Sequence, residues 1–160
     1  MEIRTRDISL MAIFSALYVA LVVVFTPISF YAIQFRIAGV IRPGIAKKQI
    51  LAIGYAIGVL VANFFSPFAG FHELLFMPLM SFIAGILGYY AAKPFKKNYF
   101  IAGIAIAIVI PLSVSWMLNQ LFGLPILATF PGLIISEQII NGIGSVLFKI
   151  VESRYEWWNY

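Results

Sequence analysis

Long apolar blocks, broken by short polar turns, fill this chain from end to end. A helix needs about 20 residues to cross the hydrocarbon core of a bilayer. On that measure six segments are expected. They run from about Ile8 to Thr26 (ending at Pro27), Phe35 to Ala46, Gln49 to Phe65, Phe71 to Ala92, Tyr99 to Phe122 and Ala128 to Val151. Pro43, Pro78 and Pro111 fall inside the second, fourth and fifth. The second is short: from Arg36 to Lys47 an α-helix would rise only about 16 Å. Arg36 is therefore expected below the outer surface, where a cation needs a polar cavity or a partner.

Composition turns this pattern into a class. The 160 residues are 62% hydrophobic and 11% charged, with a mean hydropathy of +0.99. Soluble domains are nearer half apolar and a quarter charged. The chain reads as an all-α integral membrane protein, a single transmembrane domain of six helices in a compact bundle with a short second helix. The blocks that follow the first make it a transmembrane helix rather than a removed signal. The net charge of +5 is spread over short loops, so it indicates membrane topology and not nucleic acid. With both termini inside, Arg4, Arg6, Arg42, Lys47, Lys48, Lys93, Lys96, Lys97, Lys149 and Arg154 all fall at or near the inner face. Arg36 is the exception. Trp157, Trp158 and Tyr160 follow the last segment as an interfacial aromatic anchor.

Polar residues inside such segments are candidates for function. Asn63 ends the third segment, and His72 and Glu73 open the fourth. Trp116, Asn119 and Gln120 lie near the outer end of the fifth, and Glu137, Gln138 and Asn141 in the upper part of the sixth. Glu137 and Asn141, four apart, share a helix face. With Gln34, Phe35, Arg36 and Tyr31 they suit one outward pocket for a flat, hydrogen-bonding organic molecule. Alternatively, Arg36 pairs with Glu73 or Glu137 to hold the bundle. There is no phosphate loop, no His-Glu-x-x-His motif and no cysteine, and a single histidine cannot build a histidine-rich metal site. No cofactor is expected. Small residues repeat every fourth position at Ala12, Ala16 and Ala20, at Gly54, Gly58 and Ala62, and at Ala84, Gly88 and Ala92. Such stripes allow close helix packing or the docking of another membrane protein.

Pro27-Ile28-Ser29 followed by Ile33-Gln34-Phe35-Arg36 resembles the QueT family. Its members are predicted substrate-binding membrane subunits (S components) of energy-coupling-factor transporters for queuosine precursors. Ala62-Asn63-Phe64-Phe65-Ser66-Pro67-Phe68, Glu73, Ser136-Glu137 and the alanine stripe resemble further features of that family. Where the family continues Ser-Glu-Ala after Phe-Arg-Ile, this chain reads Ala38-Gly39-Val40, one carboxylate fewer beside Arg36. The resemblance implies an importer subunit that binds a 7-deazaguanine on the outer side. It also implies partners: a transmembrane coupling subunit, docked on Ala12, Ala16 and Ala20, and two ATPase subunits. The other readings are an S component for thiamine or riboflavin, a structural protein, and a small intramembrane enzyme built on His72, Glu73 and Glu137.

Overall fold

A computed structural model describes residues 4–29 and 36–159. The described residues form α1 (Thr5–Val24), the single turn α2 (Thr26–Ser29), a 3-10 helix (Ile37–Ala46), α3 (Leu51–Asn63), α4 (Met77–Ala92), α5 (Tyr99–Phe122) and α6 (Ile126–Arg154). A π-helical turn, His72–Phe76, leads into α4, and a 3-10 turn, Lys93–Phe95, follows it. Four stretches are long and apolar enough to cross a membrane: Thr5–Val24, His72–Phe95, Tyr99–Phe122 and Ile126–Arg154. Ile37–Ala46 and Leu51–Asn63 are apolar but shorter. The expectation of six spans is therefore met by length in four.

The short second segment differs most from expectation. It is 3-10 rather than α over ten residues, where runs beyond about four are uncommon. At about 2.0 Å per residue, Arg36 to Lys47 rises about 22 Å, not 16. The tight cylinder follows from its packing. This helix touches α1, α3, α4, α5 and α6, and so runs through the middle of the bundle. Around it α1 packs on α3, α3 on α4, α4 on α5 and α5 on α6. Glycines let it approach α6. A Cβ on Gly39 would stand 2.8 Å from Ile140, and one on Gly44 2.6 Å from Phe148. A Cβ on Gly144 would collide with the Val40 carbonyl.

Local chemistry sets the other ends. Asn98 caps α5 by accepting the Phe100 N–H at 2.9 Å. Gly123, at φ 67°, takes the left-handed turn that closes α5 and donates to Asn119 O. Pro78 has no N–H to offer the Leu74 carbonyl. The turn before it widens, and the Met77 N–H bonds to His72 O. The three small-residue stripes separate here. Gly54, Gly58, Ala62, Ala84, Gly88 and Ala92 are buried, with a Cβ on Gly54 only 2.8 Å from Met11 O. Ala12, Ala16 and Ala20 are exposed.

Candidate functional site

The 3-10 helix carries Arg42 into the centre of the bundle, 1% exposed. Sequence position had put it at the inner face, because the loop-charge rule was applied to a residue that sits inside an apolar run. Arg42 Nη1 donates to Glu137 Oε2 on α6. Asn141 Nδ2 donates to the same oxygen at 3.1 Å and to the Glu137 carbonyl at 2.8 Å. The shared face of Glu137 and Asn141 is thus turned inward. The Tyr55 ring lies 5.3 Å from Arg42 Cζ, and Tyr18 meets Tyr55 edge-on at 5.3 Å. Glu137 therefore pairs with Arg42, a partner that the sequence did not suggest for it.

Arg36 is also buried, 5% exposed, and lines a small cavity with Arg42, Tyr55, Ser81, Pro111 and Glu137. The cavity measures about 10 Å³, room for one water. Pro111 at its wall cannot donate to the Ala107 carbonyl, so α5 lacks a rung of its ladder beside the cavity.

A second polar group sits where α3 ends and the π turn begins. Asn63 and Glu73 are both buried, and Asn63 Nδ2 donates to the Glu73 carbonyl at 2.6 Å. Glu73 precedes Met77 and Ser81, which line the cavity, but is not itself among the lining residues. π turns recur at functional sites. Among the described residues, the buried polar atoms without a hydrogen-bond partner include Glu73 Oε2, Asn63 Oδ1, Asn141 Oδ1 and Arg42 Nε, besides the Tyr18, Ser81 and Ser115 hydroxyls. Buried polar atoms are nearly always paired, so a set of three acceptors and a donor in one bundle has room for a partner from outside.

The remaining candidates lie elsewhere. Trp116 is 40% exposed and meets the Phe76 ring at 4.6 Å and the His72 ring at 6.0 Å, both tilted, outside the cavity lining. Asn119 Nδ2 holds the loop after α5 by donating to Leu124 O at 3.0 Å, and Gln120 is exposed. Tyr31, Gln34 and Phe35 lie outside the described residues. Tyr18, Tyr55 and Ser81 were missed by sequence reasoning. Tyr55 lies one residue after Gly54, beside a stripe read as helix packing or partner docking. Among the described residues no three His, Cys, Asp or Glu side chains gather as a metal site.

A model of the QueT transporter family matches residues 8–153. The chain belongs to the QueT transporter family. It is accordingly a membrane transporter protein and not an enzyme, so the reading built on His72, Glu73 and Glu137 as catalysts is set aside. No curated protein and no solved structure matches it. The stripe Ala12, Ala16 and Ala20 lies exposed along one face of α1. That stripe floors an open apolar groove of about 650 Å³, walled by Met11, Val19 and Val23 of α1 and by Ile57 and Val61 of α3.

Proposed function

We propose that this chain is the substrate-binding subunit of an energy-coupling-factor importer and captures a queuosine precursor, a 7-deazaguanine, from the outer side. The observation that carries the reading is the set of unpartnered buried polar atoms around Arg42, Glu137, Asn141, Asn63 and Glu73 in a chain of this transporter family. A guanine-like edge offers adjacent N–H donors, which a carboxylate accepts in pairs. Its carbonyl takes a donor such as the Arg42 guanidinium. The Tyr55 ring supplies an aromatic surface beside both.

Ligand pockets of this kind usually span about 300–1,000 Å³. A cavity of about 10 Å³ is closed by comparison, so capture requires the 3-10 helix and the helices around it to part. Energy for release would come from outside the chain, which carries no phosphate loop. The coupling subunit would dock in the groove over Ala12, Ala16 and Ala20, with two ATPases behind it. The lysine-rich end and both termini face the cytoplasm by the positive-inside rule.

Titration of the purified protein with 7-cyano-7-deazaguanine and with its aminomethyl analogue tests the substrate, with thiamine and riboflavin as competing vitamins. Saturable binding of either deazaguanine is expected; binding of a vitamin alone would reassign the cargo. Ala16→Leu is expected to leave binding intact and to abolish co-purification with a coupling subunit.

A further inference from the structure

We infer that the lysine-rich end of the bundle holds a specific anionic phospholipid, its phosphate seated in a cleft between the start of α5 and the end of α6. This inference is independent of the cargo. The cleft measures about 260 Å³ and is lined by Lys47, Lys96, Lys97, Lys149 and Glu152, with Phe95 and Phe100 among its apolar walls. Four of its lining residues are lysines and one is a glutamate. That carboxylate is engaged, since Lys47 Nζ bonds to Glu152 Oε1 at 2.7 Å. Lys97 Nζ donates to the Lys47 carbonyl at 3.2 Å. Lys96 and Lys149, both exposed, form none of the ion pairs found among the described residues.

The turn that builds the cleft is unusual. Lys96 and Lys97 both take left-handed backbone, at φ 54° and 56°. Residues with a Cβ adopt that conformation uncommonly, and two in succession rarely. The Lys97 N–H closes the turn onto the Ala92 carbonyl at 3.0 Å. Two lysines are thereby concentrated against the first turn of α5, where Asn98 and Tyr99 also line the cleft. The partial positive charge of a helix start adds to theirs.

A lipid rather than a free phosphate is favoured by what lies beside the cleft. Phe100, Ile104, Ile108 and Leu112 are all exposed and repeat every fourth residue along α5. From Phe100 to Leu112 the rise is about 18 Å. One leaflet's share of a hydrocarbon core of about 30 Å is about 15 Å. The track thus has the depth of an acyl chain and begins at a cationic headgroup site. A choline headgroup would bring its own cation to four lysines, whereas a phosphatidylglycerol brings only the anion. Basic pockets at helix ends bind anionic headgroups by this charge match.

Native mass spectrometry of the detergent-purified protein tests this with phosphatidylglycerol and phosphatidylcholine of matched chains. Wild type is expected to retain phosphatidylglycerol preferentially. Each lysine removed from the cleft should lower that preference about fivefold. Lys96→Gln with Lys149→Gln should remove most of it, while Lys93→Gln, outside the cleft lining, should not. If the double variant loses helical content by circular dichroism, Lys149→Gln alone decides at its fivefold effect. Equal retention of the two lipids by wild type would overturn the inference. So would an undiminished preference in the cleft variants, or a loss as large in Lys93→Gln. Displacement of the lipid by millimolar inorganic phosphate would assign the site to a soluble anion and overturn it as well.

Discussion

Two ion pairs join the 3-10 segment to α6, and they sit at opposite extremes of exposure. Arg42 and Glu137 meet in the centre of the bundle, with side chains 1% and 7% exposed. Lys47 and Glu152 meet at the lysine-rich rim, with side chains 9% and 31% exposed. The same two elements are therefore fastened twice. At the rim, water and salt reach the carboxylate, and the pair is one strand of a wider net. Lys48 bonds to Asp7 at 2.5 Å, Trp157 Nε1 donates to the Tyr99 hydroxyl at 3.2 Å, and Lys47 lies over the Tyr99 and Trp158 rings. In the centre the bundle shields both groups from bulk solvent, so each charge depends on its partner. Depth changes a tether into a constraint, and a constraint next to unpartnered acceptors is one a ligand can relieve.

The contrast is most exposed by Glu137→Ala. Removing one member of a buried pair leaves a charge without compensation and costs about 3–5 kcal/mol. Thermal unfolding in detergent should show a large fall in melting temperature. Replacing both, as Arg42→Met with Glu137→Leu, should restore stability to near that of wild type, because a packed apolar pair has no desolvation cost. Ligand capture should stay lost. That outcome separates the pair's role in cargo binding from its role in folding. If the double variant still bound a deazaguanine, the central pair would be structural only.

A smaller effect is expected at Glu73, whose Oε2 has no internal partner to lose. Glu73→Gln should leave the melting temperature nearly unchanged. It should weaken ligand binding by about 10- to 100-fold, the worth of one charge-assisted hydrogen bond. Isothermal titration of wild type and variant checks this, and equal affinities would remove Glu73 from the site. The smallest effect belongs to the rim. Lys47→Met should cost less than about 1 kcal/mol, and raising the salt concentration should shrink the difference. A loss as large as that of Glu137→Ala would erase the distinction between the two rungs.

Much of this architecture can be read along the chain because it depends on local quantities. Apolar block length gave α5 its bounds, Tyr99–Phe122, and Gly123 after the block marked where that helix stops. The concentration of lysines between blocks foretold the rim where Lys47, Lys48 and Lys97 gather. Helical spacing placed Glu137 and Asn141 on one face, and they do share a hydrogen bond. The 3-10 geometry was not accessible in this way. It arises because Gly39, Gly44 and Gly144 let α6 press on that segment, and those contacts span about a hundred residues of chain.

Pairing and facing were decided only in three dimensions. The sequence offered Glu137 only Arg36 as a partner, and the bundle brought it Arg42, 95 residues away. Three stripes of small residues had the same spacing, yet two became packing seams and one stayed open to the surroundings. Spacing fixes which residues share a face, because the helix repeat is an intrachain property. Whether that face meets a neighbour, a cavity or the bilayer depends on where the other helices are, and no local repeat carries that information.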